Sequence, residues 1–337
     1  DYTSVEGKKY IDPNAPGSYQ PDDDATGSNR IYNSTHKNKL FDFYAQYSKE
    51  LPSVASRFDV MAGYSYQSYQ TQTDNVTYYL SRKPETFGQN TTVSNEYKET
   101  DTKYVLASFY GRMNYSLMDK YLLTFTLRDD ASSRFAKGHR WGYFPSFSAA
   151  WRISEEAFME EAVGWLTDLK IRGSYGNLGN QSALSDFYPW MNSYDLDAHY
   201  SLNGSLQTGY HQKNYKIATI SWEKARTWGV GIDATLFGKL TVGLDYYDRK
   251  TTGIIMDVPV PAEFGLGAYK DNVGAMVNRG VELTLNYNES WDDWLFGVSA
   301  NLAYNKNKVL YLDGVQSLAD GDLKVKQVGA AYGTYRL

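Results

Sequence analysis

The chain contains no cysteine among its 337 residues. A disulfide framework, a thiolate zinc site and thiol redox chemistry are therefore excluded. Histidine is scarce as well. The four residues His36, His139, His199 and His211 show no two at metal-ligand spacing, so no metal and no cofactor is expected. No stretch approaches the roughly 18 consecutive apolar residues with which a helix spans a bilayer. Nor is there an excess of positive charge. The 34 Lys and Arg stand against 39 Asp and Glu, a net charge of -5, which excludes the basic footprint of a nucleic-acid binder. The N-terminal Asp1-Tyr2-Thr3-Ser4 lacks the charged and apolar regions of a signal peptide, so an exported form is expected to have been processed or to be part of a longer chain.

What the chain has in abundance is tyrosine. Aromatic residues make up 16% of the sequence and Tyr alone numbers 31, although mean hydropathy is -0.55 and only 42% of residues are hydrophobic. A ring with a polar tip suits the boundary between hydrocarbon and water. A membrane barrel reconciles low mean hydropathy with such a surface, because its strands need only about ten residues with every second one apolar.

The alternation is present along most of the chain. Residues 1–30, with Pro13, Pro16, Pro21 and the acidic run Asp22-Asp23-Asp24, show no periodicity and are expected to form an extended surface loop. From Lys39 onward a period of two sets in: Phe41, Phe43, Ala45 and Tyr47 share one face, Asp42, Gln46 and Ser48 the other. The same pattern returns in Val60–Tyr66, Val105–Tyr115, Tyr121–Leu127, Phe147–Ile153, Leu169–Tyr175, Trp228–Leu236, Leu240–Tyr246, Val281–Tyr287 and Phe296–Tyr304. About ten strands are expected, with a helical segment near Glu155 to Leu166.

The polar faces carry Arg112, Arg128, Lys170, Arg172, Asp233, Asp245, Arg249 and Glu282 among Gly, Ser, Thr and Asn. Pattern alone permits either face to be inside. Connection lengths decide between them. Joins at 51–56, 117–120, 237–239 and 289–294 are short, while those near 71–101, 181–219 and 256–271 are long. Tight turns at one end and long loops at the other are the arrangement of a transmembrane antiparallel β-barrel in a bacterial outer membrane, with apolar residues facing lipid and the long loops outside the cell. Tyr47, Tyr115, Tyr121, Trp151, Trp228 and Tyr287 would then form interfacial girdles.

Four segments carry a family resemblance: FPSFSAAWRISEEAFMEEAVGWLTDLKIRGSYGNLGN (144–180), SWEKARTWGVGIDATLFGKLTVGLDYYDRKTTGII (221–255), NVGAMVNRGVELTLNY (272–287) and LAYNKNKVLYL (302–312). In this order they resemble the barrel of the SusC/RagA family, TonB-dependent transporters of Bacteroidetes outer membranes. The resemblance implies an all-β barrel of roughly 22 strands preceded by a plug domain. The ten strands counted here would be part of that barrel, residues 1–337 a partial barrel domain, with no plug domain and no terminal aromatic strand in the chain. It also implies energised uptake of oligosaccharides or peptides, with a SusD-like surface lipoprotein as lid, TonB as energy coupler acting through the plug region, and outer-membrane lipid as surroundings.

The residues within these segments have readings of their own. Trp222 and Trp228 would sit at the outer rim and just below it. Gly274 and Gly280 would free the backbone for a bend or bulge, and Asn272, Asn278 and Glu282 would bond to neighbouring strands.

No catalytic set is apparent. His139 or His211 with a loop aspartate is the sharpest enzyme candidate, and no motif supports it. Asp22-Asp23-Asp24 and Asp320-Gly321-Asp322 offer hard oxygens for calcium but lack a ligand series, and solvated acidic loops explain them better. The richest segment is the loop 181–219. There Phe187, Tyr188, Trp190, Tyr194, Tyr200, Tyr210 and Tyr215 lie among hydrogen-bonding residues, a composition suited to sugar faces or peptide backbone and equally to a loop packed upon itself. Tyr188, Trp190, Tyr194, Tyr200 and Tyr210 are the ligand-binding candidates. A complete small outer-membrane enzyme or adhesin is the alternative, and a soluble surface lectin a third possibility.

Overall fold

The computed structural model describes residues 2–6, 27–81, 91–162, 164–184, 187–192, 194–212, 217–261, 263, 265, 266, 268–320 and 323–335. In chain order the strands are β1 (Tyr2–Glu6), β2 (Gly27–Leu51), β3 (Ser56–Ser81), β4 (Thr91–Leu117), β5 (Tyr121–Ser132), β6 (Trp141–Arg152), β7 (Leu166–Asn180), β8 (Tyr194–Leu202), β9 (Ser205–Gln212), β10 (Glu223–Leu236), β11 (Leu240–Val258), β12 (Tyr269–Trp291), β13 (Trp294–Leu312), β14 (Ser317–Asp320), β15 (Lys324–Gln327) and β16 (Thr334–Tyr335). Eleven of them hydrogen-bond into one sheet in the order β1-β2-β3-β4-β5-β6-β7-β10-β11-β12-β13. Ten of these are the strands expected from the alternation. The eleventh, β1, falls at the edge of the stretch 1–30 that is expected to form an extended loop: Tyr2–Glu6 pairs with β2 from Tyr32 back to Ser28, while residues 7–26 lie outside the described residues. A loop was expected there because the prolines and the acidic run, which lie outside the described residues, dominate the local composition.

Two compact units make up the chain, Asp1–Leu40 with Gln67–Val105, and Phe41–Tyr66 with Leu106–Leu337. In the first, polar side chains link the strands. His36 and Thr71 are 3.0 Å apart, Lys37 donates to Gln72 at 2.9 Å and Gln70 donates to Asp101 at 3.0 Å, beside a stacked Tyr69–Tyr104 pair. The expected long join near 71–101 is largely strand, since β3 runs to Ser81 and β4 starts at Thr91.

In the second unit the short turns fall where the periodicity breaks. Pro52–Val54 is a single 3-10 turn, Met118–Lys120 and Phe237–Lys239 each close a hairpin, and Asp292-Asp293 joins β12 to β13, tighter than the expected turn. Left-handed residues (Ala55, Met118, Asp119, Phe237 and Asp292) reverse the chain at all four. The expected helical segment is a pair of 3-10 turns, Ile153–Glu155 and Ala157–Ala162.

Register aligns the apolar positions into rows. Ile171, Ile232, Leu244, Leu283 and Leu302 are successive cross-strand partners, as are Gly173, Val230, Tyr246, Val281 and Tyr304. Val230 is 51% and Leu302 70% exposed to solvent in the isolated chain. A soluble protein would bury such rows, at about 25 cal/mol per Å² of apolar surface. Here lipid does so.

Aromatics mark the short-turn end. Tyr121 stacks on Trp151 at 6.4 Å, Tyr287 meets Phe296 at 6.3 Å and Tyr47 meets Phe58 at 5.9 Å. Glu156, in the turn after β6, fastens one of these pairs. It accepts from the Tyr121 hydroxyl at 2.7 Å, the Trp151 indole at 3.0 Å and the Lys120 ammonium at 3.2 Å. These donors hold its carboxyl below the ordinary glutamate value of 4.5.

Two predictions follow from this geometry. Leu283 and Thr284 are adjacent on β12 but point to opposite faces, so in lipid Leu283→Arg is expected to destabilise the intact barrel by about 2–4 kcal/mol and Thr284→Arg by much less. Equilibrium unfolding in vesicles measures both, and a larger loss for Thr284→Arg would reverse the assignment of faces. Because its folded pKa is depressed, Glu156 stabilises the fold above its unfolded value, and the contribution disappears as pH falls below about 4.5. Melting temperature recorded from pH 6 down to 3 should therefore fall less steeply for Glu156→Gln than for the parent protein.

Candidate functional site

On the polar face, β7, β10 and β11 bring four charged side chains together. Arg172 donates through Nε to Asp233 at 3.0 Å and through Nη2 to Asp245 at 2.7 Å, and Lys170 lies 3.0 Å from Asp233. The register explains the convergence, since Gly231 is the direct partner of both Arg172 and Asp245. A Cβ at 231 would lie 2.4 Å from the Asp245 carboxylate and 2.8 Å from the guanidinium, so the network occupies the space that a side chain there would need. Thr124, Ser148, Tyr247 and Glu282 join Lys170, Arg172 and Asp245 around a concavity of about 610 Å³. The pairs are half-exposed and electrically matched. Exposed pairs of this kind are screened by water and contribute little to stability, and they present both signs of charge to the solvent.

The same principle corrects one expectation about the motif NRGVEL. Gly280 is not at a bulge, because Tyr247, Gly280 and Asn305 follow in regular register. Its missing side chain instead makes room for the Tyr247 ring, whose atoms lie 2.5–2.7 Å from where a Cβ would stand. Gly274 does sit at irregular pairing, between shifts at Thr252/Ile254 and Ile254/Ile255.

At the long-loop end a latch ties the loops to the strands. Phe135, Phe144, Leu184, Ile220, Trp222 and Ile255 form a buried cluster, with Phe135 and Ile220 fully enclosed. Trp222 therefore belongs to this core, and its indole donates to the Arg140 carbonyl at 2.8 Å. Glu223 accepts from Asn180 at 2.6 Å and from the Ile255 amide at 2.8 Å. Asn272 accepts from the Ser221 amide at 2.7 Å and donates to the carbonyls of Ser221 and Gly253 at 2.9 and 2.7 Å. Buried Arg134 donates to the carbonyls of Gln181 and Leu184. The motif residues are thus load-carrying parts of the architecture. Asn278 and Glu282 form no side-chain hydrogen bond among the described residues.

Within the loop 181–219, Tyr194–Leu202 and Ser205–Gln212 pair as the hairpin β8–β9, which composition did not suggest. Of the candidate ligand residues, Tyr194 and Tyr210 meet edge to face at 6.0 Å and are 53% and 73% exposed. Tyr188 and Trp190 form a second edge-to-face pair at 6.2 Å. Tyr200 pairs with Gln207 whereas Tyr194 pairs with Gln212, so Tyr200 points to the opposite side of the hairpin from Tyr194 and Tyr210. The five do not converge on one surface. Phe187 lies under the Arg134 guanidinium at 5.5 Å, and Tyr215 falls outside the described residues. Asp22-Asp23-Asp24 and most of Asp320-Gly321-Asp322 fall outside them too. Sequence reasoning missed Arg134 and Glu223, which lie outside the alternating segments, and it missed the Arg172 network as a connected site; alternation assigned that network to the polar face, but only register shows which of its members touch.

The chain matches the family described as TonB dependent receptor-like, beta-barrel over residues 1–334. It is 33% identical over 284 residues to TonB-dependent receptor SusC of Bacteroides thetaiotaomicron, an alignment covering 82% of this chain and 28% of SusC. It is 38% identical over 216 residues to TonB-dependent receptor P26 of Formosa agariphila, covering 63% of this chain and 21% of that protein. Among solved structures, the RagAB peptide importer in its closed-closed state superposes with a TM-score of 0.81 at 24% identity, over 99% of this chain and 36% of the importer chain. The fold and the alternating faces define a transmembrane β-barrel of the outer membrane. The chain belongs to the TonB-dependent receptors, a family of transporters rather than enzymes, and within them to the SusC/RagA type. It spans about a quarter to a third of the length of these relatives. The polar face is accordingly the side turned to the barrel lumen.

The latch makes a direct prediction. Asn272→Ala leaves the Ser221 amide and two carbonyls without a partner, and is expected to destabilise the long-loop end by about 1–3 kcal/mol. Hydrogen exchange at the Ser221 amide measures it, with faster exchange expected there and no change in the β5–β6 hairpin.

Proposed function

We propose that this chain forms part of the wall of an energised outer-membrane importer that takes up oligosaccharides or peptides. In this reading a SusD-like surface lipoprotein closes over the long loops, and TonB acts through a plug region that the resemblance places before the barrel. The observation that carries the reading is the lumen face itself: charged and hydroxyl side chains, paired with one another and half-open to water, line a concavity bordered by glycines. A wet wall of matched charges lets a bulky polar solute pass without a single tight site to hold it.

Capture is assigned to the loop 181–219. Exposed Tyr194 and Tyr210 offer a stacking platform with polar neighbours, suited to a sugar face or a peptide backbone. RagAB is a peptide importer, and SusC is a TonB-dependent receptor; neither name selects the substrate of this chain.

Deleting 185–215 from the full-length protein tests the assignment. Ligand affinity is expected to fall at least about tenfold, and Tyr210→Ala alone about two- to tenfold. Unchanged affinity for the deletion in a correctly folded barrel removes this loop from the binding site.

A further inference from the structure

On the lipid-facing side, the apolar rows stop abruptly at the long-loop end. The last apolar row contains Val230, Tyr246, Val281 and Tyr304. The next row holds Trp228, Asp248, Arg279 and Lys306, and the one beyond it Arg226, Lys250, Val277 and Lys308. Lys224 stands one row further, on the same face of β10. Side chains of directly paired residues share a face, as do every second residue along a strand, so all these groups point outward with Leu244 and Leu283 rather than into the lumen.

Six cations therefore face outward against one anion, in a chain whose net charge is -5. Asp248 neutralises only Arg279, at 2.6 Å. Lys224, Arg226, Lys250, Lys306 and Lys308 have no ion-pair partner among the described residues. Rows lie about 7 Å apart and strands about 4.8 Å apart, which gives a cationic patch roughly 15 Å on each side. Its height is fixed by Trp228, which meets Tyr246 at 5.4 Å and marks the level where hydrocarbon ends. Strong outward charge immediately above an aromatic boundary has one neighbour available, the headgroup layer.

We infer that Lys224, Arg226, Lys250, Lys306 and Lys308 form a docking surface for the phosphate groups of a phosphorylated glycolipid in the outer leaflet. The lysine stems reach along the barrel wall while the ammonium groups rise to the phosphates. The inference needs only the outer-membrane barrel, not the identity of any imported solute. Each cation near an anionic surface contributes roughly fivefold to retention.

The test uses the intact barrel protein in nanodiscs that contain either a bisphosphorylated glycolipid or the same lipid after phosphatase treatment. Native mass spectrometry counts the lipid retained on detergent transfer. The parent protein is expected to retain the phosphorylated lipid at least about tenfold better than the dephosphorylated one, and to lose that preference in 1 M salt. The variant carrying Lys224→Gln, Arg226→Gln, Lys250→Gln, Lys306→Gln and Lys308→Gln should lose it too, with Arg249→Gln on the lumen face as control. Equal retention of the two lipids by the parent protein overturns the inference without recourse to any variant. So does unchanged preference in a correctly folded quintuple variant, or displacement of the lipid by millimolar inorganic phosphate, which would mark a site for free anions.

Discussion

Within hydrocarbon no water is available to satisfy a backbone amide or carbonyl, so each strand must obtain every hydrogen bond from its neighbours. The rest of this structure depends on that constraint. The ladders from β5 to β13 run almost without interruption through the apolar rows; irregular pairing is confined to their ends, at Thr235/Leu236 and at residues 252–255 and 275–276. Once the ladder is continuous, the pleat assigns alternate residues to lipid and lumen. A chain of low mean hydropathy can then present a wholly apolar exterior.

Three devices at different heights hold that wall in place. At the short-turn end, Glu156 gathers a tyrosine, a tryptophan and a lysine, fixing two girdle rings by their polar atoms. In the middle, the Arg172 network balances charge on the lumen face, where Gly231 leaves space for it. At the long-loop end, Glu223 and Asn272 satisfy backbone groups that the ladder no longer serves, around the core of Phe135, Ile220 and Trp222. Beyond these anchored loop bases, the hairpin β8–β9 keeps Tyr194, Tyr200 and Tyr210 exposed.

Most of the sheet was legible in the sequence because period two survives wherever one face is lipid and the other water. Phe41 to Tyr47 and Leu240 to Tyr246 are clear examples. Beyond the membrane that asymmetry ends, and so does the signal: the upper parts of β3 and β4, the hairpin β8–β9 and the small sheet β14–β16 look like loop by composition. The family segments pointed to architecture, which the roles of Trp222, Glu223 and Asn272 support. What they could not convey was register. Gly280 suggests a bend in isolation and proves to be space for Tyr247 once the strands are aligned, and Tyr200 separates from Tyr194 and Tyr210 only when the irregular pairing in β8 is known.

The orientation of the two faces is the point on which everything else turns, and a chain without cysteine makes it directly measurable. Single spin labels at Leu240→Cys through Tyr247→Cys along β11, in the membrane-inserted protein, report the environment of each position in turn. The expected result is strict alternation, with dissolved oxygen relaxing labels at 240, 242, 244 and 246 and a water-soluble nickel complex reaching those at 241, 243, 245 and 247. Alternation of the opposite phase, or none, would contradict it.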